Sequence, residues 1–187
     1  MATLKSTTKA RRPAAGRGVK AREPAPAYGT PNGALSFYSG LKAKERATIE
    51  RALAILGREL REREVFGSPD LVKGYLQLRM AGERFETFGA LYLDSQNRAI
   101  AYETHFTGSL TKCFVHPREI VMAALAHRAA GVVLAHNHPS GNVQPSRNDE
   151  ALTQTMKAAL ELVEVRMLDH VIVARGAALS MAERGLI

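Results

Sequence analysis

The sequence predicts an α/β fold in which a mixed β-sheet is flanked by helices on both faces. Predicted helices and strands alternate from about residue 69 onward, an order that is typical of helices layered on a sheet. A predicted strand at residues 85–94 carries apolar side chains on both faces, and residues 132–135 form a continuous apolar run. Strands of this kind are usually covered on both sides, so both faces of the sheet should be buried.

The chain divides into three predicted regions, of which the first is a basic tail. Residues 1–35 hold seven Lys or Arg and one acid, and therefore carry +6 of the net charge of +8. Their Ala, Gly, Pro and Thr content and the lack of a periodic apolar face predict disorder. Residues 36–67 are predicted to form an N-terminal helix and a linker, and residues 68–187 the main domain.

The main domain is predicted to open with a helix followed by a hairpin. Ser68 has the position of a helix cap, Pro69 suits the first helical position, and Gly82 ends the helix. Residues 85–94 and 99–105 are separated by a short polar turn, the pattern of two hairpin strands.

The rest of the domain continues the alternation. Residues 110–115 can form a third strand, and Pro117 opens another helix. An amphipathic helix is predicted over residues 151–163, and residues 171–173 are predicted as the last buried strand. Ser180 is predicted to begin a short terminal helix.

Candidate metal ligands cluster at the end of the strand that contains residues 132–135. His136 and His138 are two residues apart in an extended segment, so they project from the same face. Pro139 closes the strand, and Ser146 and Asp149 have the spacing of a helix capping box. Two imidazoles and a carboxylate with a vacant fourth position match a catalytic zinc site. By spacing alone, a chance His-x-His pair beside an ordinary helix cap fits as well.

These residues also carry a resemblance to a known family. The pattern His-x-His, seven residues, Ser, two residues, Asp resembles the metal-binding signature of JAB/MPN (JAMM) metallohydrolases. Residues 115–120, 136–141 and 168–170 resemble the RadC-like branch, and the likeness extends over about residues 68–187. The resemblance implies a JAB/MPN domain of cytidine-deaminase-like architecture.

The resemblance further implies a zinc-dependent hydrolase of the metallopeptidase or isopeptidase type, in which metal-activated water attacks an amide carbonyl. The implied zinc ligands are His136, His138 and Asp149. It also implies Glu103, on an upstream strand, as the general base, and Ser146 as a donor that stabilises the tetrahedral intermediate. From the sequence alone, Glu103 can also be a strand-end carboxylate and Ser146 only a helix cap.

An alternative function is a DNA-repair- or mobile-element-associated accessory protein whose metal site is structural or acts on nucleic acid. The RadC name carries a DNA-repair association, but the sequence contains no helix-turn-helix, zinc-finger or aromatic–basic signature. We expect the basic tail to bind nucleic acid weakly and without sequence preference, or to be inert. Near the C-terminus, His170 either orients a metal-ligating imidazole or is a hydrogen-bonded core residue.

Cysteine content and hydropathy give the remaining expectations. The single cysteine excludes an internal disulfide and a cysteine-based zinc cluster, so we expect a reducing compartment, the cytoplasm. No apolar run approaches the length of a membrane span, so we expect no membrane partner. We expect a peptide or isopeptide substrate, whose identity does not follow from the sequence. The sequence does not fix the oligomeric state either.

Overall fold

The computed structural model describes residues 40–62, 69–80, 82–108 and 115–187. The predicted basic tail, the Ser68 cap and residues 110–114 of the predicted third strand lie outside the described residues.

In the described part of the chain, a mixed five-stranded sheet has the order β2-β1-β3-β4-β5. Only β3 and β4 are parallel, and the other neighbouring pairs are antiparallel. This arrangement confirms the predicted α/β class. The strands are β1 (Thr87–Leu93), β2 (Ala99–Thr107), β3 (Gly131–Asn137), β4 (Arg166–Ala174) and β5 (Ala177–Ser180).

Helices cover both faces of the sheet, as predicted. Side chains alternate along a strand, so β1 and β3 supply apolar residues to both sides. One core joins Phe88 and Leu134 to the two later helices, and the other joins Leu91 and Val133 to the two earlier ones. None of the described helices combines the length and apolarity needed to cross a bilayer. The helices are α1 (Ala43–Glu62), α2 (Pro69–Met80), α3 (Pro117–Ala126) and α4 (Arg147–Glu161).

Helix α4 is the crossover between the parallel strands β3 and β4. A parallel pair requires such a connection, because the chain must return to the edge at which the first strand began. The connection leaves the end of β3 at Asn137 and enters α4 through the cap residue Ser146. The first turn of α4 is therefore held close to the end of β3.

The prediction of a terminal helix from Ser180 is wrong. A fifth strand ends at Ser180, and it pairs antiparallel with β4 through a turn at Arg175 and Gly176, whose φ is 79°. A glycine adopts this left-handed conformation without strain, so the chain reverses direction here and pairs with β4. Ser180 does cap a turn, since its hydroxyl accepts from the Glu183 N–H at 3.0 Å. Only turns follow it, up to Gly185.

Candidate metal centre

The two histidines of the strand end converge as the sequence predicted. His136 is the second-last residue of β3, and His138 continues the pairing with β4 by donating its backbone N–H to the Val173 carbonyl at 2.7 Å. The Nε2 atoms of His136 and His138 are 2.9 Å apart. The His136 side chain is only 2% exposed, whereas that of His138 is 17% exposed. The pair therefore has one buried wall and one side open to solvent.

Asp149 brings a carboxylate to both imidazoles from the first turn of α4. Its Oδ1 lies 3.3 Å from His136 Nε2, and its Oδ2 lies 3.7 Å from His138 Nε2. Ser146 fixes this carboxylate through a capping box: its N–H donates to Asp149 Oδ2 at 2.7 Å, and its hydroxyl accepts from the Asp149 N–H at 3.2 Å. The structure thus brings together four of the five residues singled out in the sequence.

The charge on Asp149 is maintained by its neighbours. Burial by itself would raise the pKa of this carboxyl group, but the contacts with His136 and Ser146 outweigh burial and hold the pKa well below its usual range. Asp149 is therefore ionised near neutral pH, the state in which a carboxylate binds a cation.

The donor set fits a metal ion. The Nδ1 of His138 lies 2.7 Å from the backbone carbonyl of Asn142, which can only accept, so Nδ1 carries the proton and the Nε2 of a neutral ring carries a lone pair. This lone pair points at His136 Nε2 and the Asp149 carboxylate. A cation bound between these groups would interact favourably with all of them. Two imidazole nitrogens and a carboxylate oxygen are ligands that zinc accepts.

Glu86 is a further acidic residue at the centre, and the sequence analysis missed it. One ligand atom of each of Glu86, His136 and His138 lies within 4.8 Å of the others. Glu86 stands immediately before β1, and β1 runs antiparallel to β3 with Phe88 opposite His136. Continuing this register by two residues places Glu86 opposite His138, on the same face of the sheet. The only signal in the sequence was a glutamate at the start of a strand that pairs with the histidine strand.

Asn137, the middle residue of the His-x-His triplet, ties the start of β1 to the end of β3. Its Oδ1 accepts from the Thr87 N–H at 2.7 Å and from the Thr87 hydroxyl at 2.6 Å. Its Nδ2 donates to the Phe85 carbonyl at 3.0 Å. These bonds hold the residues on either side of Glu86, so the position of Glu86 relative to the histidines is fixed by a buried side chain.

The structure does not bring Glu103 to this centre. Glu103 pairs with Ala90, in the row that contains Leu134, so it lies four residues from Glu86 along the strand direction, or about 13 Å. Its carboxylate accepts from His127 Nε2 at 2.7 Å and lies 3.7 Å from His105 Nε2.

Two features of the sheet separate Glu103 from the histidines. Strand β2 continues to Thr107. Glu103 therefore lies in the middle of this strand, whereas we had expected it near the end. Strand β1 also lies between β2 and β3 in the sheet. A carboxylate that joins Asp149 beside the histidines from the β1 side of the sheet must precede β1, which is where Glu86 lies.

His170 contacts the Nδ1 side of His136, opposite the Nε2 side that faces His138 and Asp149. Its Nε2 lies 2.8 Å from His136 Nδ1, and its Nδ1 lies 2.6 Å from the Thr153 hydroxyl. Burial lowers the pKa of His170 well below its usual range, and the proximity of His136 lowers it further. His170 is thus a hydrogen-bonded core residue that also contacts His136, and both interpretations that the sequence left open fit this position.

A groove of about 550 Å³ adjoins the centre. Its lining residues include Asn137, His138 and Pro139, together with Arg84 and Arg175. A bound molecule can therefore reach the exposed side of His138 without any change in the sheet.

Comparison with known sequences agrees with the geometry. A family model described as "RadC-like JAB domain" matches residues 66–186. The chain is 64% identical over 146 residues to a UPF0758 protein of Acidovorax sp. (strain JS42), covering 78% of this chain and 61% of that protein. It is 60% identical over 146 residues to a UPF0758 protein of Verminephrobacter eiseniae (strain EF01-2), covering 78% and 62%.

A UPF0758 protein of Paracidovorax citrulli (strain AAC00-1) is 52% identical over 158 residues, covering 82% of this chain and 67% of that protein. The chain spans about three fifths of the length of the first of these relatives. The family match covers the sheet, its later helices and every residue of the metal centre, including Glu86. By its sequence and its fold, this chain belongs to the RadC-like JAB domain family.

Proposed function

We propose that this chain is a zinc-dependent hydrolase of the JAMM metallopeptidase or isopeptidase type, which cleaves an amide bond with water. The observation that carries the proposal is the convergence of two imidazole Nε2 atoms and the ionised Asp149 carboxylate at one point, with Glu86 beside them. His136, His138 and Asp149 would hold the ion. Bound there, zinc would lower the pKa of a water molecule and polarise the substrate carbonyl.

Glu86 is the proposed general base, in place of Glu103. A base must lie within hydrogen-bonding reach of the attacking water, directly or through one water molecule. Glu86 lies at the histidine pair, and Glu103 is engaged with His127 elsewhere on the sheet. Glu86 would take a proton from the water as it attacks the carbonyl carbon, and would deliver that proton to the amine as the C–N bond breaks.

Ser146 is the proposed donor to the oxyanion. Its hydroxyl uses a lone pair to cap α4, since it accepts from the Asp149 N–H. A hydroxyl has one proton and two lone pairs, so capping leaves the proton free to donate. Ser146 is exposed, and a substrate oxygen can approach it. Capping uses a lone pair of the Ser146 hydroxyl and the oxyanion role would use its proton, so the two roles are compatible.

Metal analysis tests the site. The purified protein should contain about one zinc ion per chain, and His138→Ala should lose most of it because one of three ligands is gone. His116→Ala is the matched control, since His116 is an exposed histidine at the start of α3. Equal zinc in the wild type and in His138→Ala would refute the ligand assignment.

A substrate screen tests the chemistry. Wild-type protein would be assayed against peptide, isopeptide and nucleic-acid substrates, before and after removal of zinc with a chelator and again after its return. Cleavage of an amide bond that follows the zinc content supports the proposal. Zinc-dependent cleavage of nucleic acid alone would favour the alternative, a DNA-associated accessory protein.

A further inference from the structure

A line of buried hydrogen-bonding groups runs behind the metal centre. His136 Nδ1 lies 2.8 Å from His170 Nε2, His170 Nδ1 lies 2.6 Å from Thr153 Oγ1, and Thr153 Oγ1 lies 2.6 Å from the backbone carbonyl of Asp149. Thr153 and His170 are fully buried. The line begins at one proposed ligand, His136, and ends on the backbone of another, Asp149.

The Asp149 carbonyl, the last group in this line, determines which atom carries each proton. A carbonyl oxygen has no proton to give, so the single proton of the Thr153 hydroxyl must point at the Asp149 carbonyl; otherwise two oxygens would face each other at 2.6 Å. The other close neighbour of the hydroxyl is the Met181 sulfur at 3.6 Å, a weak acceptor. Thr153 therefore offers His170 a lone pair and not a proton.

The same reasoning assigns the proton of the His170 ring. Its Nδ1 faces the lone pair of Thr153, so Nδ1 must carry the proton. No carboxylate bonds to either of its ring nitrogens among the described residues, and a charged imidazolium without such a partner is costly in a fully buried position. His170 is then neutral, and its Nε2 is an acceptor that draws the proton of His136 to Nδ1.

We infer that Thr153, acting through His170, commits His136 to the form whose Nε2 lone pair faces the metal centre. Thr153 and His170 are positioning residues, since neither reaches the proposed metal. The inference rests on the proposed function only in taking His136 as a metal ligand. His138 reaches the same form by a shorter route, through the Asn142 carbonyl, so both imidazoles present Nε2 to the same point.

The protonation pattern can be measured without metal or substrate. In metal-free protein labelled with ¹⁵N-histidine, at a pH of about 8, above the ordinary pKa of imidazole, two-bond ¹H–¹⁵N correlations identify the protonated nitrogen of each ring. We expect Nδ1 to be protonated in both His136 and His170. Protonation of His170 at Nε2 in the wild type would overturn the inference, and this measurement needs no variant to fold.

Thr153→Val removes the hydroxyl with little change of shape. The buried Nδ1–H of His170 would lose its acceptor, which is costly, so His170 should move its proton to Nε2 and His136 should lose its Nδ1 proton. Zinc affinity should then fall roughly 10–100-fold, the usual effect of losing a group that orients a metal-bound histidine. Thr153→Ser keeps the hydroxyl and should retain both the wild-type protonation pattern and the affinity.

Thr155→Val is the matched control. Thr155 lies on the same helix and donates to the Ala151 carbonyl at 2.9 Å, the same local bond that Thr153 makes, but it is exposed and contacts no histidine. An equal loss of zinc affinity in Thr155→Val and Thr153→Val would overturn the inference. If the wild type binds no zinc, the proposed function fails, and the protonation pattern in metal-free protein still decides whether Thr153 sets the form of His136.

Discussion

Glu86 and Glu103 are two carboxylates on the same face of the sheet, and their neighbours give them different chemistry. Glu86 precedes β1 and lies at the open end of the sheet beside two imidazole Nε2 atoms. Glu103 is in the middle of β2, hydrogen-bonded to His127. Of the two, only Glu86 lies close enough to the histidines to serve as the proposed base, because proton transfer requires hydrogen-bonding reach.

The pair provides a test in which each residue controls for the other. Glu86→Gln keeps the size and hydrogen-bonding capacity of the side chain but removes its basicity. With a substrate that the wild type cleaves, turnover should fall by roughly 10²–10⁴, the usual effect of losing general acid–base catalysis. Zinc content should stay at the wild-type value, because His136, His138 and Asp149 remain. Turnover and metal content would both be measured on the same preparation.

Glu103→Gln should leave turnover near that of the wild type. If Glu103→Gln is as slow as Glu86→Gln, the assignment of Glu86 in place of Glu103 as the base is wrong. If Glu86→Gln loses its zinc, Glu86 is a ligand, and the proposed open coordination site is wrong.

This contrast shows what the sequence could predict about the site. His136, His138, Ser146 and Asp149 are linked by local rules, namely the alternation of a strand and the spacing of a helix cap, and the structure brings them together. The carboxylate beside them depends on which strand pairs with β3. That pairing joins residues about fifty positions apart, and no local pattern specifies it.

At the scale of elements, the centre depends on the junction between the start of β1 and the end of β3. Asn137 makes three hydrogen bonds across this junction, and its side chain and Thr87 are buried. A buried side chain that satisfies several polar groups is costly to remove, because its partners are left without water or protein to bond.

Asn137→Ala should therefore destabilise the protein by about 2–3 kcal/mol, through the unsatisfied Thr87 N–H and the other lost bonds. The free energy of unfolding would be measured by urea denaturation. Asn148→Ala, at an exposed position in the first turn of α4, is the control and should change stability by less than about 0.5 kcal/mol. Equal effects of the two substitutions would show that the junction contributes little to stability.

The C-terminal elements show why local propensity alone was insufficient. Residues 177–180 contain two alanines and a serine, a composition with little preference for a strand, and the sequence did not predict one there. They form a strand because the turn at Arg175 and Gly176 returns the chain beside β4, where Leu179 becomes buried. The gain from burial and pairing outweighs the weak preference of alanine for a helix, which amounts to fractions of a kcal/mol per residue.

At the scale of the whole molecule, the positive charge is unevenly distributed along the chain. Residues 1–35 carry +6 of the net +8, which leaves +2 for the remaining residues. Charge of this kind binds the phosphate backbone by releasing counterions and does not read the base sequence. We therefore expect any nucleic-acid affinity of this chain to come from the tail and to be separate from the metal centre.

Replacing the seven Lys and Arg residues of the tail with Gln keeps the chain length and removes its positive charge. On mixed-sequence DNA, the wild type should bind weakly at about 50 mM salt and lose most of its affinity by about 200 mM, because each neutralised phosphate adds to the salt dependence. The Gln variant and a chain without residues 1–35 should both bind far more weakly at low salt, while their zinc content stays unchanged. Tight, sequence-selective binding by the shortened chain would instead place a DNA-binding surface on the folded domain, because a basic tail that neutralises phosphates cannot discriminate between base pairs.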